Sequence, residues 1–512
     1  MIADLLLYNL TSLAETGSAA APELIAIRQD RIVYAGSKDA WDDWHGSRTR
    51  VIDCQGGLVL PGFNDAHCHP IAFAVTQRYL DCAARSIRCI GDIQASLRQH
   101  AEAAPPQRWL RGANLDASQL GEQRLPNRWE LDEAVPHLPV ILVTRSGQQC
   151  VLNSMALAHC GISELSRAAE GESFERSPIN GKLNGLVSGN SARIARAIPP
   201  LADDEIEAGL RQANQTYLAH GITSLQDTSW TNAHTHWQSL RTIKQHGLLA
   251  PRLTMLAGYD ALAEFVEHGL STGSGDANLR LGAMKIALDE SSGSALPPQD
   301  ELNQAALRAH RAGFQLAFHV PDVAWLQSSL RALRHLHNMV PLGPRRPRFE
   351  HCPVCPPALW VELAQSGAVI VSQPNLLFQT GPDYLRHLSD EQLKWVFPYR
   401  SALQHGVPLS FSSDSPLTPC RPLQAIQTTV TRRVAGGSTL VKEEQLTLAE
   451  AFAAYTSGGA YAAGDEMEKG LLAVGQLADL AVLNIPGTAA PERLFEAEVM
   501  LTLIDGQVAW ER

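Results

Sequence analysis

The middle of the chain alternates short apolar runs with segments of helical periodicity, and this alternation limits the fold more than any other feature. Eight runs have the length and composition of buried strands, and helical patterns such as "DELNQAALRAHRAG" separate them. These runs are 57–69, 221–227, 252–258, 281–289, 314–320, 347–352, 368–374 and 408–414. The distance from Lys285 to His319 is 34 residues, and from His319 to His351 it is 32. Units of this length predict a distorted (β/α)8 barrel of the TIM type.

Both ends of the chain have a different pattern, in which short apolar runs alternate with tight turns. Residues 1–60 contain "ELIAIRQDRIVYAG", and the C-terminal end contains "LADLAVLN" and "VMLTLIDGQVAWER". We predict one small β-sandwich domain formed by 1–60 together with 466–512, with the barrel over 61–465. His69 and Asp227 are 158 residues apart. The first barrel strand is therefore followed by a large insertion at about 75–205.

Composition and charge exclude several classes of partner. The 512 residues carry a formal net charge of -11 without long runs of one sign, which argues against a nucleic-acid surface. No apolar run approaches the roughly 20 residues of a membrane span, and "MIADLLLYNL" lacks the basic start of a signal peptide. We expect a cytoplasmic protein that acts on a small molecule, and we leave a homodimer open. Nine cysteines without an export signal do not predict disulfides.

Polar residues stand at the ends of five predicted strands, where an apolar residue would be expected. They are His67, His69, Lys285, His319, His351 and Asp414. The C-terminal ends of barrel strands form the active-site face, so these six side chains should converge. One histidine at a strand end is usually a hydrogen-bonded surface residue, but that interpretation does not suit six residues at one face. Imidazole and carboxylate groups are ligands for zinc and similar divalent ions.

Lys285 needs a separate argument, because an ammonium group with a pKa near ~10.4 repels a metal ion. The amine can serve as a ligand after addition of carbon dioxide, which gives a carbamate with two oxygens that could bridge two ions. The alternative is a lysine that neutralises a nearby carboxylate. We predict two divalent ions, with one ion as the alternative.

Several motifs resemble those of the metal-dependent amidohydrolase superfamily. They are "PGFNDAHCHP", "MKIALDE", "FEHC", "SSDSP" and "KGLLAVGQLADLAVL". The insertion, with "LPNRWELDEAVPHLPVILVTRSG" and "VLNSMAL", is similar to the amidohydrolase family 3 branch, which includes N-substituted formamide deformylases. The resemblance implies a distorted (β/α)8 barrel, a β-sandwich from both termini, and hydrolysis of a non-peptide carbon–nitrogen bond.

The predicted ligands suggest a division of roles. His67, His69 and Asp414 would hold the first ion, His319 and His351 the second, and carboxylated Lys285 would bridge them. Asp414 would also be the catalytic base, accepting a proton from the metal-activated water and passing it to the leaving nitrogen.

The chain departs from the pattern of its relatives at a few positions. Many relatives have "DGH" where this chain has Ser146, Gly147 and Gln148, and "GS" where Ser412 and Ser413 stand. We interpret these departures as affecting the substrate and not the metal. The candidate substrate-binding residues are Gln148, Trp109 and Trp230.

Two other functions stay open at this point. One is a single-metal deaminase or aminohydrolase of a heterocycle, because members of the same superfamily have this activity and usually lack the lysine. The other is a non-catalytic amidohydrolase-like scaffold protein, which would be free to lose ligands. Measurement of bound metal separates these alternatives.

Overall fold

The structure is a computed structural model that forms two compact units. Unit 1 comprises Met1–Pro70 with Ala213–Arg512, and unit 2 comprises Ile71–Gln212. The structure describes residues 2–13, 21–83, 86–103, 108–144, 147–169, 171–189, 191–286, 296–341, 343, 345–487, 489–490, 493–494 and 496–512. Within these ranges, no helix has both the length and the apolar character needed to cross a membrane.

The secondary structure consists of short strands and helices that follow one another throughout the chain. The strands are β1 (Leu5–Tyr8), β2 (Leu24–Arg28), β3 (Arg31–Gly36), β4 (Arg50–Asp53), β5 (Leu58–Pro61), β6 (Phe63–Cys68), β7 (Leu80–Asp81), β8 (Leu110–Leu115), β9 (Val140–Thr144), β10 (Gln149–Leu152), β11 (Ser173–Arg176), β12 (Leu183–Ser188), β13 (Ile222–Asp227), β14 (Arg252–Gly258), β15 (Leu279–Ile286), β16 (Leu316–Val320), β17 (Arg348–His351), β18 (Val369–Ser372), β19 (Leu409–Phe411), β20 (Leu480–Leu483), β21 (Val499–Ile504) and β22 (Gln507–Glu511). The helices are α1 (Trp41–Trp44), α2 (Pro70–Thr76), α3 (Ile90–Ala103), α4 (Arg128–Ala134), α5 (Ser154–His159), α6 (Ala192–Ala197), α7 (Asp203–Ala219), α8 (His234–Gln245), α9 (Leu262–Glu267), α10 (Gln299–Arg311), α11 (Val323–Met339), α12 (Trp360–Gln365), α13 (Pro374–His387), α14 (Asp390–Leu393), α15 (Tyr399–Gln404), α16 (Pro422–Thr431), α17 (Leu448–Tyr455) and α18 (Ser457–Ala463).

Eight parallel strands of unit 1 form one sheet, in the order β6, β13, β14, β15, β16, β17, β18 and β19. Each strand overlaps one of the eight predicted runs, and most are buried along their whole length, as parallel strands covered by helices should be. The predicted (β/α)8 barrel is confirmed.

The first predicted strand, 57–69, is wrong as a single element. β5 pairs antiparallel with β20 in a terminal sheet, whereas β6 begins the barrel. The chain passes between the two sheets at Gly62, whose N–H donates to the Asp479 carbonyl at 2.8 Å. A Cβ at Gly62 would lie 2.1 Å from the hydroxyl oxygen of Thr223, so the close approach requires glycine. Both strands are buried along their whole length and one residue separates them, so the pattern could not distinguish two elements.

Strands from both termini form two sheets of four strands, β3-β2-β1-β4 and β22-β21-β20-β5. Their inner faces share one hydrophobic core that includes Leu7, Ile25, Val59, Leu480 and Leu503. The predicted β-sandwich is confirmed, and its exact domain boundaries stay a prediction. The turn between β21 and β22 has Asp505 and Gly506 in the left-handed region, which suits a two-residue hairpin.

Unit 2 contains a six-stranded sheet in the order β11-β12-β10-β9-β8-β7. The buried side chain of Asn153 organises one end of it. Its Oδ1 accepts from the Val140 N–H at 3.0 Å, and its Nδ2 donates to the carbonyls of Val135 and Leu138 at 3.1 and 2.9 Å. This side chain therefore supplies partners for three buried backbone groups, which would be costly to leave unpaired.

The barrel closes between its first and last strands through residues that follow β19. The Asp414 N–H donates to the His67 carbonyl at 2.7 Å, and the His69 N–H donates to the Ser415 carbonyl at 2.8 Å. The Asp65 carboxyl group accepts from the N–H and the hydroxyl of Ser413 at 2.8 and 2.6 Å. This closure brings two of the predicted ligand segments side by side.

An ion pair joins α15 to the start of α17. Both Arg400 terminal nitrogens donate to the Glu450 carboxylate at 2.7 Å, and the Glu450 carboxylate also accepts from the N–H and hydroxyl of Thr447 at 2.7 Å each. The bonds from Arg400, aided by those from Thr447, lower the pKa of Glu450 to about 2 although its burial opposes the shift.

We predict that Glu450→Gln destabilises the protein at pH 7 and not in acid. The folded-state pKa lies below the unfolded value near ~4.3, so the carboxylate stabilises the fold above that pH and the contribution is lost as pH falls toward 2. Since both side chains are a quarter to a third exposed, we expect about 1 kcal/mol at neutral pH. Unfolding midpoints should differ at pH 7 and converge toward pH 3, whereas Glu443→Gln, at an exposed position, should have little effect. An equal difference at both pH values would contradict this account.

Candidate active site

The six residues predicted as ligands all lie at or near the C-terminal ends of barrel strands. His67 is the second-last residue of β6, and His69 directly follows that strand. Lys285, His319 and His351 are in β15, β16 and β17, and Asp414 follows β19. The barrel topology therefore directs all six residues to one end of the sheet, as the sequence pattern suggested.

Three of these residues come together closely enough to hold one metal ion. Asp414 Oδ1 lies 3.1 Å from His69 Nε2 and 3.6 Å from His67 Nε2. One ligand atom from each residue lies within 4.8 Å of the others. His67 is fully buried, while the His69 side chain is 26% exposed and gives the cluster its contact with solvent. Two imidazoles and a carboxylate are a donor set that suits zinc.

His351 and His319 extend this cluster into a row of imidazoles. The His67 and His351 ring centroids are 4.6 Å apart, and those of His351 and His319 are 4.8 Å apart. His351 Nδ1 is 3.9 Å from Asp414 Oδ2. Four imidazoles and one carboxylate thus form a continuous group at the barrel mouth.

The electrostatic environment keeps the buried imidazoles neutral. Burial is the largest cause in each case: it lowers the pKa of His67 well below its ordinary value, lowers that of His319 to about 2, and lowers that of His351. The positive charge of Lys285, itself buried, lowers all three pKa values further, while Asp414 partly opposes the shift at His351. A metal ion binds neutral imidazole, so these histidines are in the required protonation state at pH 7.

Three of the imidazoles are held at Nδ1 by a side chain outside the cluster. Glu350 lies 2.6 Å from His67 Nδ1, the Ser229 hydroxyl lies 2.9 Å from His69 Nδ1, and the Gln373 Oε1 lies 2.9 Å from His351 Nδ1. Metal-binding histidines are commonly oriented in this way. The sequence analysis missed all three partners. Each is a polar residue at or near the C-terminal end of a buried strand, and that position could have identified them.

The backbone is unusual at two of the candidate ligands. His351 has φ of 72° and Asp414 has φ of 58°, both in the left-handed region that non-glycine residues seldom adopt. Such conformations persist where the surrounding structure enforces them, and they concentrate at functional sites.

Ser412 contributes to the hydrogen bonds around His351. Its hydroxyl accepts from Gln373 Nε2 at 3.0 Å, and the same Gln373 side chain holds His351. Ser412 therefore lies two hydrogen bonds from a candidate ligand. The interpretation that the departures at Ser412 and Ser413 affect the substrate and not the metal stays a prediction.

The three candidate substrate-binding residues lie in different environments. Trp230 is half-buried in the loop that follows β13, next to Ser229. Trp109 is 6% exposed and packs in a hydrophobic core of unit 2 with Leu152 and Leu157. Gln148 is exposed in the turn between β9 and β10, and Ser146 lies outside the described residues.

Comparison with known proteins gives the family of this chain. Residues 50–509 match the profile of the amidohydrolase family. The chain belongs to the amidohydrolase family. This amidohydrolase is 28% identical over 542 aligned residues to N-substituted formamide deformylase of Arthrobacter pascens, with 99% of this chain and 98% of that protein covered. It is 25% identical over 518 aligned residues to the putative amidohydrolase YtcJ of Bacillus subtilis (strain 168), with 96% of each covered.

A solved structure shows the same fold. An uncharacterized metal-dependent hydrolase from Pyrococcus horikoshii OT3 matches with a TM-score of 0.74 at 20% identity, covering 95% of this chain and 99% of that one. The resemblance seen in the motifs is confirmed. As an amidohydrolase, the protein is a hydrolase that acts on carbon–nitrogen bonds other than peptide bonds.

Proposed function

We propose that this amidohydrolase cleaves the amide bond of an N-substituted formamide or a related small amide with the help of two divalent ions, zinc being the first choice. The observation that carries the proposal is the convergence of four imidazoles, Asp414 and Lys285 at one barrel mouth, with the pKa values of three of the imidazoles lowered. His67, His69 and Asp414 would hold one ion, His319 and His351 would hold the other, and carboxylated Lys285 would bridge them.

The donor set fits a metal centre. The lowered pKa values of His67, His319 and His351 keep these three imidazoles neutral. Glu350, Ser229 and Gln373 contact the Nδ1 atoms of His67, His69 and His351. When bound, divalent ions lower the pKa of water toward about 7 and polarise a substrate carbonyl.

Asp414 is the residue best placed to move a proton. Its side chain is 7% exposed and lies within 4 Å of three histidines, at the end of the barrel where a substrate carbonyl would bind. It would accept a proton from the attacking water and deliver it to the leaving nitrogen. An amine is a poor leaving group until it is protonated, so this transfer is needed for the bond to break.

The substrate class rests on sequence similarity over almost the whole chain. The relative from Arthrobacter pascens is named a deformylase of N-substituted formamides. Trp230, half-buried beside the loop that carries Ser229, is the candidate to contact an apolar N-substituent. Trp109 and Gln148 stay weaker proposals, since one packs in the core of unit 2 and the other is exposed.

One observation favours a second candidate function. Among the described residues, the one group of His, Cys, Asp or Glu side chains close enough to hold an ion is His67, His69 and Asp414. A single ion held there would suit a deaminase or aminohydrolase of a heterocycle. We rank this function second because Lys285 lies among the histidines and is not needed for one ion.

A product analysis tests the substrate class. Zinc-loaded protein should release formate and amine in equal amounts from alkyl- and aryl-substituted formamides. From larger N-acyl amines it should release the amine and the corresponding carboxylate at lower rates. Release of ammonia from aminoheterocycles, with no formate from any formamide, would replace the proposal with the single-metal alternative.

Asp414→Asn tests the role of the carboxylate. The variant keeps the size of the side chain and one acceptor oxygen but loses the basicity, so turnover should fall by about 10² to 10⁴ while much of the metal is retained. Turnover and bound metal should be measured side by side, with Asp390→Asn, an exposed helix-terminal position, as the control. Activity that returns when metal is added would make Asp414 a ligand alone, and near-normal turnover would remove it from the mechanism.

A further inference from the structure

An ion pair is buried inside the barrel directly behind the imidazole cluster. Arg348 and Glu350 alternate along β17, so both side chains point to the same side, and both residues are 0% exposed. Arg348 Nε donates to Glu350 Oε1 at 2.7 Å, and Arg348 Nη2 is 3.3 Å from Glu350 Oε2. Arg348 also donates to the Ala66 carbonyl at 2.8 Å and to the Gln226 side chain.

Such a pair calls for an explanation other than stability. Removing two charges from water is costly, and well-packed apolar side chains of similar volume often give an equally stable core. Apolar residues usually fill the interior of a (β/α)8 barrel. The hydrogen bonds of Arg348 fix its guanidinium in one position, and this fixes the Glu350 carboxylate in turn.

The fixed carboxylate contacts one imidazole nitrogen. Glu350 Oε2 lies 2.6 Å from His67 Nδ1. A carboxylate can only accept there, so the proton of neutral His67 must be on Nδ1. The lone pair is then on Nε2, the atom that lies 3.6 Å from Asp414.

The side chains that contact Nδ1 of the other imidazoles are uncharged. His69 is held by the Ser229 hydroxyl and His351 by the Gln373 amide oxygen. The Ser229 hydroxyl donates its proton to Asp227 Oδ1 at 2.7 Å, so it accepts from His69 Nδ1, and the Gln373 amide oxygen likewise accepts from His351 Nδ1. All three partners place the imidazole proton on Nδ1, but only the Glu350 carboxylate carries a charge, which makes its imidazole a stronger electron donor.

We infer that Arg348 and Glu350 together are a positioning device that fixes His67 in the Nδ1–H form and makes it the strongest metal donor of the cluster. Glu350 acts through His67, and Arg348 acts through Glu350. The part of this inference that concerns metal affinity rests on the proposed metal centre, whereas the part that concerns the proton on His67 does not.

Glu350→Gln tests the inference because the replacement amide can point either way. Arg348 would keep the amide oxygen, and the NH2 group would face His67 Nδ1 as a donor. The variant should therefore shift His67 toward the Nε2–H form. In metal-free protein with 15N-labelled histidine, the ring 15N shifts report this change, and loss of a signal in His67→Asn assigns His67.

The double variant Arg348→Met with Glu350→Gln supplies the rescue. Without Arg348, the amide can turn its oxygen toward His67, so the Nδ1–H form should return in part. The double variant also avoids an unpaired buried arginine, and it keeps the test valid where the single variant folds poorly. If the ion pair had only a structural role, the double variant would not restore the Nδ1–H form of His67.

Zinc affinity, measured by competition with a chromophoric chelator, is the second readout. We expect Glu350→Gln to weaken binding by about 10- to 100-fold, with partial recovery in the double variant. Ser229→Ala should weaken zinc binding less, because it removes a neutral partner. A Glu350→Gln protein that keeps the Nδ1–H form and wild-type zinc affinity would overturn the inference. Failure of wild-type protein to bind zinc would instead overturn the proposed metal centre, and the 15N shifts would still decide the role of Glu350.

Discussion

The closure of the barrel at His67 and Asp414 is the interaction on which the site depends. The Asp414 N–H donates to the His67 carbonyl at 2.7 Å. The N–H and the hydroxyl of Ser413 both donate to the carboxyl group of Asp65, two residues before His67 in β6. These bonds join residues nearly 350 positions apart and place one carboxylate between two imidazoles. Burial raises the pKa of the Asp65 carboxyl group at this closure to about 7, although its hydrogen bonds from Ser413 lower the pKa.

Burial of polar groups gives the site its chemical character. The imidazoles lose their affinity for protons because water is excluded and because Lys285 adds positive charge nearby. The positive charge of the Lys285 ammonium group disfavours a cation beside these imidazoles. Conversion of Lys285 to a carbamate would replace that positive charge with a negative one, and the same residues would then favour two divalent ions. A carbamate on Lys285 and the proposed metal ions would therefore stabilise each other electrostatically.

Much of this architecture could be predicted from the sequence, because it depends on local periodicity and strand ends. The barrel strands, the terminal sandwich and the strand-end positions of six candidate ligands follow from patterns of about 30 residues. The boundary between β5 and β6 could not be predicted, since both strands are fully buried and only Gly62 separates them. Glu350, Ser229 and Gln373 were missed because their roles arise from contacts between distant strands.

The central claim is that six converging side chains hold two metal ions with Lys285 as a carboxylated bridge. Anomalous diffraction at the zinc edge from crystals of active, zinc-loaded protein tests it most directly. We predict two anomalous peaks, one beside His67, His69 and Asp414 and one beside His319 and His351, with electron density for a carboxyl group on Lys285 Nζ between them. One peak, or two peaks with an unmodified Lys285 in an active crystal, would contradict the account.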